Sequence, residues 1–374
     1  MLYKSKLPIL AREVRQNDID FSDITLFVVH HIKENVVEFI RLLSLVGFKK
    51  IVVIGKPYSR NEVAEKEFKK YAEVIVPPFE ELEKPTFISL FIKRHLSSTD
   101  KCICFDMSGY FSRYFTQNAP PKGLLGVIEE TKNGIWFEEN YQFKFPMLSV
   151  ASAILKNYGE TYFVAKAIMR TSEHILINER QLTLAGHNIL IVGYGSIGRH
   201  LAYFLRTQAT VSIYDIKPPL RLRACVEGHS VLPNLKNLKK FDFIIGVTGS
   251  YPLQRELLQL KQDVILINGS TGKREFAFNP IKKSIINVIK TQSISTITLK
   301  NKRRIHLLAH GYPVNFFQSE SIPSYIFDIV CAETFILAQL LAKSKFKPGY
   351  YPIEKYAPDV ENRVANAWLD LWSK

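Results

Sequence analysis

Three glycines with the spacing of a phosphate-binding turn follow an apolar stretch at residues 188–192. The first permits a tight turn, the second lets the backbone approach a pyrophosphate, and the third lets a helix pack closely on the preceding strand. Apolar residues at 201–205 continue this helix, whose N-terminus offers free amides and a partial positive charge to phosphates. The spacing therefore predicts a dinucleotide site. Its predicted contacts are Gly193, Gly195, Ser196, Ile197 and Gly198.

An acidic residue selects between the two nicotinamide dinucleotides. Asp215 ends the next apolar stretch, where a carboxylate accepts hydrogen bonds from the adenosine ribose and repels a 2′-phosphate. We therefore expect NAD. The basic residues Lys217, Arg221 and Arg223 lie close by in sequence and leave NADP open as an alternative.

Two more loops follow buried stretches in the same half of the chain. Residues 247–250 contain Thr248 and Gly249, and residues 268–272 begin with Asn268. Loops at the carboxyl ends of parallel strands pass under the cofactor in such folds. Each loop is either part of the cofactor site or an ordinary turn.

Strand-like and helix-like segments alternate along the chain, which is typical of an α/β fold with parallel sheets. Residues 34–45 have the apolar spacing of a crossover helix, and residues 150–177 have a continuous helical pattern that leads into a second domain. Another apolar helix, at 332–341, is predicted to return to the first domain. The predicted strands cover 24–29, 50–54, 73–76, 101–105, 188–192, 211–214, 243–247 and 264–267.

With 374 residues, the chain exceeds what one hydrophobic core usually covers. We expect two domains with Rossmann-like, doubly wound parallel sheets. Residues 1–155 form the substrate and catalytic domain, to which 321–345 return, and residues 156–320 form the NAD-binding domain. Residues 346–374 are predicted to be a C-terminal helical tail.

The net charge of +15 would suit a nucleic acid, an anionic membrane or a phosphorylated ligand. The basic clusters at 217–223, 282–283 and 300–304 are short and scattered, so a solvated face is the favoured interpretation and a nucleic-acid partner is not expected. Four cysteines without metal-binding spacing indicate reduced thiols and no metal site. They are Cys102, Cys104, Cys225 and Cys331.

The first 12 residues lack the pattern of a signal peptide, and no apolar run approaches the roughly 20 residues that cross a bilayer. We therefore expect a cytoplasmic protein with no membrane partner.

Several short motifs occur in an order that matches one enzyme family. Residues 126–134 read GVIEETKNG, close to that family's GxxEETTTG, and Phe145-Pro146 precedes Lys156. Glu227-Gly228, Thr248-Gly249, Asn268, residues 307–309 and Asn315 follow in family order around the glycine turn. On these residues, from about His31 to Leu341, the chain resembles S-adenosylhomocysteine hydrolase.

The resemblance implies a closed redox cycle on tightly held NAD, within one-carbon metabolism. A ribose 3′-hydroxyl is oxidised, a 5′-substituent is eliminated, water is added, and the ketone is reduced again. The ketone acidifies the C4′ proton, so a base of ordinary strength can remove it. The resemblance also implies a nucleoside-like small molecule as substrate and a homo-oligomer.

Residue by residue, Lys156 matches the lysine that helps deprotonate the 3′-hydroxyl, for which a lowered pKa would make it a base. Glu160 stands where the family has an aspartate beside that hydroxyl. Glu130 matches the glutamate that holds the ribose hydroxyls, and Thr131 matches a threonine on the nicotinamide side. An isolated lysine on a helix is usually solvated, and Glu129 with Glu130 could be a surface acidic pair.

His31 and Asp106 match the residues that handle the C4′ proton. Both lie at predicted strand ends, where α/β proteins gather their site residues. His30 competes with His31 for the same alignment.

The sequence departs from the family where adenine and homocysteine are recognised. Ser270, Thr271 and Gly272 replace a histidine-containing loop, and residues 321–323 replace Gly-His-Pro. Ala151 and Thr161 each replace an asparagine, and the chain ends without the lysine and tyrosine tail of the family. A polar pocket that loses its hydrogen-bonding groups shifts its preference by orders of magnitude.

Three hypotheses follow. The first is an NAD-dependent enzyme that oxidises a nucleoside hydroxyl, with elimination or hydrolysis of a 5′-substituent and altered specificity. The second is a net dehydrogenase of a small alcohol or hydroxy acid, which would accumulate NADH. The third is a non-catalytic regulator that binds NAD or a nucleoside.

Overall fold

The computed structural model describes residues 5–136 and 142–373. Residues 1–4, part of the stretch for which no signal peptide was predicted, lie outside the described residues, as do 137–141 and Lys374. The chain forms two compact units: unit 1 comprises Met1–Glu160 with Ile322–Lys374, and unit 2 comprises Thr161–Ser321. Unit 1 is discontinuous in sequence, and unit 2 is a single insertion into it.

Unit 1 is built on a sheet of seven strands: β1 (Ile24–His31), β2 (Lys50–Lys56), β3 (Glu73–Ile75), β4 (Lys101–Asp106), β5 (Leu124–Glu129), β6 (Pro146–Ser149) and β15 (Gly349–Pro352). Their order is β15-β6-β5-β4-β1-β2-β3, and every neighbouring pair is parallel. All eight residues of β1 are buried, as expected for a central strand that is covered on both faces.

The helices of unit 1 cover both faces of this sheet with apolar side chains. They are α1 (Pro8–Arg15), α2 (Glu34–Ser44), α3 (Glu62–Phe68), α4 (Phe79–Leu82), α5 (Pro85–His95), α6 (Tyr110–Gln117), α7 (Lys132–Ile135), α11 (Ser324–Lys343), α12 (Ile353–Tyr356) and α13 (Pro358–Trp372). Helix α11 meets the length and composition criteria for a membrane span, at a mean hydropathy of 1.7, although no such apolar run was predicted. Since 78% of that stretch is buried inside the protein, its apolar side chains are those of a core helix.

The last 29 residues do more than form the predicted helical tail. β15 pairs in parallel with β6, so the C-terminal segment adds an edge strand to the sheet of unit 1. The indole Nε1–H of Trp368 in α13 donates to the carbonyl oxygen of Tyr325 at 2.9 Å. A guanidinium nitrogen of Arg363 lies 2.8 Å from a carboxylate oxygen of Glu13 in α1. The segment is therefore an integral part of unit 1.

Unit 2 contains eight strands: β7 (Asn188–Val192), β8 (Thr210–Tyr214), β9 (Ser230–Val231), β10 (Phe243–Gly246), β11 (Val264–Asn268), β12 (Ile285–Lys290), β13 (Ile294–Leu299) and β14 (Arg304–Leu308). Their order is β12-β13-β14-β11-β10-β7-β8-β9. β13 is antiparallel to both of its neighbours, and the other pairs are parallel. The helices are α8 (Thr161–Arg180), α9 (Ser196–Leu205) and α10 (Pro218–Val226).

Both sheets confirm the predicted α/β class with doubly wound parallel order. In unit 1 the chain moves from β1 outward to β3 and then returns to β4 on the other side of β1; in unit 2 it does the same around β7 and β10. Ligands of such sheets bind outside the carboxyl ends of the strands at this reversal point. The reversal points therefore indicate where each unit would hold a ligand.

Candidate active site and dinucleotide turn

Polar side chains gather at the carboxyl ends of the central strands of unit 1. β1 ends in His30 and His31, β4 ends in Asp106, and β5 ends in Glu129, which Glu130 follows. These five residues are each 6% exposed or less. Because buried charged groups are rare unless they are paired or functional, this edge of the sheet is the candidate active site.

His30 and Glu130 face each other across this edge. His30 Nε2 lies 3.7 Å from Glu130 Oε2, and the backbone N–H of His31 donates to His30 Nδ1 at 2.8 Å. Burial lowers the pKa of His30 to about 3, so the ring is neutral and the contact is not an ion pair. Burial raises the pKa of Glu130 to about 7, although the positive charge of Lys156 opposes the shift. Glu130 therefore titrates near neutral pH.

Lys156 and Glu160 form a pair on a single π-helical turn, Lys156–Glu160. Lys156 Nζ donates to Glu160 Oε2 at 2.5 Å, and the two side chains are 13% and 20% exposed. The side-chain amide of Asn157 donates to the carbonyl oxygens of Ser152 and Ala153 at 3.0 Å each, which fixes the start of the turn. π-helical turns are rare and occur frequently at functional sites. The structure thus brings together the two residues that were predicted to handle the hydroxyl proton.

The lowered pKa that would make Lys156 a base is not what its surroundings produce. Burial favours the neutral amine, but the charge and hydrogen bond of Glu160, with Glu130 and Glu333, outweigh it and raise the pKa of Lys156 above its usual value. Lys156 is therefore an ammonium group. Any proton that it accepts must replace one that it passes to Glu160.

Asp106 has a different environment from the other acidic groups of this edge. Its Oδ1 accepts the backbone N–H of Tyr110 at 3.0 Å, and its Oδ2 accepts the backbone N–H and hydroxyl of Ser112 at 2.9 and 3.0 Å. The side chain is fully buried. These bonds hold the first turn of α6, so the observed role of the Asp106 carboxylate is to position that helix.

Glu129 organises the loops on either side of the site. Its carboxylate accepts the backbone N–H groups of Ser108, Gly109 and Thr131 at 3.1, 3.0 and 2.7 Å, and the Thr131 hydroxyl at 2.5 Å. The same Thr131 hydroxyl accepts the backbone N–H of Gly134 at 3.3 Å as the N-cap of α7. Thr131, predicted to line the nicotinamide side, is thus engaged within its own loop.

His31 lies beside polar residues that were not predicted to belong to the site. Its Nδ1 lies 2.7 Å from the hydroxyl of Ser59, and burial with the nearby charge of Lys56 holds its pKa well below the usual range. Lys56 is 1% exposed and donates to the hydroxyl of Ser108 at 2.8 Å. A lysine that ends an otherwise apolar strand was the available signal for this residue, because lysine is almost never fully buried without a partner.

The glycine turn of unit 2 has the geometry that the sequence predicts. Gly193 has a φ of +103°, and a Cβ on Gly198 would lie 1.9 Å from the carbonyl oxygen of Gly193, so neither position accepts a side chain without strain. A Cβ on Gly195 would meet nothing within 4 Å. Ser196 and Ile197 form the half-buried first turn of α9. The open space lies at the glycine through which the backbone would approach a pyrophosphate.

Asp215 lies beside this turn and is 8% exposed. Its Oδ2 accepts the backbone N–H of Tyr194 at 2.7 Å, and its Oδ1 accepts that of Lys217 at 2.8 Å. Arg221, the base that could favour NADP, donates to the backbone carbonyl oxygens of Asp215 and Ile216 at 2.6 and 3.3 Å. Each oxygen of Asp215 keeps a second lone pair with which it can accept a ribose hydroxyl.

A buried carboxylate that sequence reasoning missed holds the loop at 247–250. Glu275 is fully buried and accepts the backbone N–H groups of Thr248 and Gly249 at 2.7 and 2.5 Å, and the Thr248 hydroxyl at 2.9 Å. A Cβ on Gly246 would lie 2.6 Å from Glu275 Oε2, so this glycine leaves room for the carboxylate. Glu275 therefore fixes the conformation of the loop at 247–250.

We expect Glu275→Ala to lower the free energy of unfolding by roughly 2–4 kcal/mol, because each buried amide left without an acceptor costs about 1–3 kcal/mol. Glu275→Gln retains one acceptor oxygen for the two amides and should lose less than half as much. Urea unfolding, followed by circular dichroism, measures both values. Equal losses in the two variants would mean that the carboxylate does not act through these amides.

Asn268 and Asn315 differ in how fully their amides are used. Asn268 Nδ2 donates to the carbonyl oxygens of Gly272 and Gly311 at 2.5 and 2.9 Å, and its Oδ1 accepts the backbone N–H of Ser270 at 2.8 Å. Asn315 Nδ2 donates to the hydroxyl of Ser321 at 2.8 Å, whereas its Oδ1 is buried without a hydrogen-bond partner in the described chain. Asn268 holds its loop together, and Asn315 offers an unused buried acceptor.

These features of unit 2 fit a dinucleotide. The open space at Gly195 suits a pyrophosphate, Asp215 suits a ribose diol, and the unpaired Oδ1 of Asn315 suits an N–H donor such as a carboxamide. The serine that replaces the family's glycine, Ser321, contributes by holding the amide of Asn315. The residues of unit 2 therefore fit NAD.

Comparison with known proteins gives the same family. Residues 158–321 match the family described as S-adenosyl-L-homocysteine hydrolase, NAD binding domain. An adenosylhomocysteinase from Thermotoga maritima is 28% identical over 267 residues, which cover 67% of this chain and 63% of that protein. Another from Saccharolobus solfataricus is 27% identical over 60% of this chain and 55% of that protein. An S-inosyl-L-homocysteine hydrolase from Methanopyrus kandleri is 26% identical over 75% of this chain and 67% of that protein.

The matched region thus spans less than two thirds of the first two relatives. Among solved structures, a dipicolinate synthase polypeptide from Bacillus halodurans matches 86% of this chain and 99% of its own length, with 12% identity and a TM-score of 0.49.

The two doubly wound sheets and the glycine turn define a dinucleotide-binding α/β protein. Within that class, residues 158–321 match the NAD-binding domain of S-adenosylhomocysteine hydrolase and the chain is similar to adenosylhomocysteinases, which supports the predicted resemblance. NAD, predicted from the glycines and Asp215, is the cofactor of the matched domain.

Proposed function

We propose that the chain is an NAD-dependent enzyme that oxidises a secondary hydroxyl of a nucleoside-like substrate and eliminates or hydrolyses its 5′-substituent. The observation that carries the proposal is the half-buried ion pair of Lys156 and Glu160, whose Nζ and Oε2 lie 2.5 Å apart. The charge of Glu130 also acts on Lys156. Bound NAD supplies the reversible removal of hydride from the alcohol carbon. The residues of this chain supply the proton transfers.

The hydroxyl proton is taken up by the Lys156 and Glu160 pair. As the hydroxyl ionises beside the ammonium group, Lys156 accepts its proton and gives its own to the Glu160 carboxylate across the existing hydrogen bond. The net proton acceptor is therefore Glu160. The positive charge stays on Lys156, where it stabilises the developing alkoxide in a water-poor site.

A neutral imidazole can accept the C4′ proton, and His30 Nε2 is buried without a hydrogen-bond partner in the described residues. Both His30 and His31 have pKa values lowered by burial, so each is uncharged at neutral pH and can accept a proton. Asp106 was predicted to share this step, but its oxygens hold α6. We therefore assign the C4′ proton to the histidine pair and a positioning role to Asp106.

The substrate is proposed to be a nucleoside thioether or a close analogue. The family's residues for adenine and homocysteine are replaced at 270–272 and 321–323, so altered specificity is part of the proposal. One relative is named for S-inosyl-L-homocysteine, which makes the base of the nucleoside the first variable to test. Cytoplasmic location, homo-oligomeric assembly and a role in one-carbon metabolism stay predictions from the sequence.

The purified protein should contain NAD, which denaturation and chromatography would release and quantify. It should convert S-adenosylhomocysteine, S-inosylhomocysteine or a related thioether to nucleoside and thiol, and exchange the C4′ proton with deuterated water. Steady accumulation of NADH with product would instead select the net dehydrogenase. The proposal would be overturned if the purified protein neither contained NAD nor bound added NAD. If it bound NAD but turned over no thioether or alcohol, the non-catalytic regulator would be favoured.

Glu130 should set the acid limb of the pH profile. Its pKa is raised to about 7 by burial, so the fraction of carboxylate that can accept hydrogen bonds from a diol rises as pH increases through that value. We expect kcat/KM to rise between about pH 6 and 8, as the carboxylate form becomes populated around that pKa. In Glu130→Gln this limb should disappear and KM should increase. An unchanged limb in Glu130→Gln would assign the titration to another group.

A further inference from the structure

The turn that carries Lys156 is held by a residue of the C-terminal helix. Glu361, in the first turn of α13, accepts the backbone N–H of Ile154 at 2.5 Å and that of Leu155 at 3.2 Å through a single oxygen, Oε1. These two amides immediately precede Lys156 in the chain. Glu361 is 5% exposed, so its contact is a buried cap on the first turn of the helix.

The cap is itself rigidly supported. On the C-terminal side of Glu361, α13 is joined to the rest of unit 1 by the ion pair of Arg363 with Glu13 and the hydrogen bond of Trp368 to Tyr325. Val364, on the same helix, is fully buried. A side chain fixed in this way transmits its position to the backbone that it holds.

A second buried carboxyl lies in the same region. Glu333 of α11 is fully buried, and neither of its carboxyl oxygens has a hydrogen-bond partner in the described part of the chain; the same is true of Glu361 Oε2. Burial, followed by the charge of Glu361, raises the pKa of Glu333 well above its usual range. Burial therefore disfavours the charged form of Glu333, and it also raises the pKa of Glu361.

Four elements of unit 1 place titratable side chains near Lys156. Glu160 lies on its own turn, Glu130 follows β5, and Glu333 belongs to α11. His30 of β1 also responds to the charge of Lys156 but is neutral. Glu361 contacts the chain before the lysine through the backbone, because its Oε1 accepts the amides of Ile154 and Leu155.

We propose that Glu361 is a positioning residue that sets the place of Lys156 in the active site by capping the two amides before it. The catalytic part of this inference rests on the proposed function, whereas the positioning itself does not. An amide oxygen can accept the same two N–H groups, but a shorter side chain cannot reach them. Glu361→Gln should therefore preserve the arrangement, and both Glu361→Ala and Glu361→Asp should disturb it.

The direct test is the titration of Lys156 by trace reductive methylation at a series of pH values, with mass spectrometry of the peptide that contains it. In Glu361→Ala and Glu361→Asp, the midpoint for Lys156 should move down by one pH unit or more as its contact with Glu160 loosens, which corresponds to a contact weakened by about 1.4 kcal/mol per unit. The Lys156 midpoint should be unchanged in Glu361→Gln. It should also be unchanged in the control Asp359→Ala, because Asp359 is an exposed neighbour of Glu361 in the same turn. This measurement needs no substrate, so it stands even if the proposed reaction fails.

Kinetics with the identified substrate provide the second readout. Glu361→Ala should lower kcat by about 10- to 100-fold, with KM and bound NAD nearly unchanged, because a displacement of about 1 Å can cost that much. Should Glu361→Ala fail to fold, the contrast between Glu361→Asp and Glu361→Gln decides the question. The proposal would be overturned if the Lys156 midpoint in folded Glu361→Asp equalled that of the unchanged protein. It would also be overturned if Glu361→Gln were as impaired as Glu361→Asp.

Discussion

Replacing Lys156 with methionine should lower turnover by about 1,000-fold while the protein keeps its bound NAD, because general acid–base catalysis contributes roughly 10²–10⁴-fold. Methionine retains the length of the side chain and removes its charge. The Glu160 carboxylate then loses the donor that holds it at 2.5 Å. No ammonium group remains to stabilise the alkoxide or to pass its proton.

The measurement combines steady-state kinetics with the NAD content of the purified variant. Lys93→Met is the matched control, since Lys93 is an exposed lysine in the last turn of α5, and its activity should be unchanged. Glu160→Gln should fall nearly as far as Lys156→Met, because an amide cannot take the relayed proton. The double variant should be little worse than either single one, as expected for residues that act as a unit. Retention of more than a tenth of the activity in Lys156→Met would exclude the proposed proton path.

Replacing Gly195 with alanine should weaken NAD binding by about 10- to 100-fold without changing the stability of unit 2, because a methyl group forced into an occupied space costs roughly 1–3 kcal/mol. In the structure a Cβ at this position meets nothing within 4 Å, and the φ of −71° suits alanine. The cost therefore arises only when a ligand fills the space.

Gly198→Ala is the contrasting variant. Its Cβ would lie 1.9 Å from a backbone oxygen, so the protein must shift even without ligand and should unfold at lower urea concentration. Isothermal titration with NAD and urea unfolding together separate the two effects. Equal affinity for NAD in Gly195→Ala and the unchanged protein would mean that the dinucleotide does not cross this turn.

The fold class was predictable because its signals are local. Apolar strands such as 188–192, the glycine spacing, and Asp215 at the end of the next strand each follow from short stretches of sequence. The structure gives β7 these same bounds. The edge strands were harder: β15 is half exposed, and its pairing with β6 depends on residues about 200 positions away in the chain.

Elements near the active site were predicted less accurately. The expected helix at 150–177 is interrupted at its start by a π-helical turn, Lys156–Glu160, and the two amides before this turn are capped by Glu361 from another part of the chain. The i, i+4 spacing of Lys156 and Glu160 suggests a pair on any helix. The acidic neighbours that raise the pKa of Lys156 against the effect of burial are brought to it by tertiary packing, which the spacing does not contain.

Buried polar residues that support loops were missed for the same reason. Glu275 lies in an ordinary stretch between two loops, and only the folded chain brings its carboxylate to the amides of Thr248 and Gly249. Lys56 ends an apolar strand, which was a usable signal. Asp106 and Thr131 were predicted as contacts with substrate or cofactor from their positions, and the structure shows that their side-chain oxygens are engaged by neighbouring backbone groups.

The discontinuity of unit 1 has a consequence for how the protein is made. Residues 161–321 form a contiguous unit that can complete its sheet while the ribosome is still adding the rest of the chain. The first 160 residues cannot complete unit 1 before this, because α11, β15 and Glu361 are synthesised after unit 2. A ribosome-bound nascent chain should therefore acquire affinity for NAD before the Lys156 turn is in place.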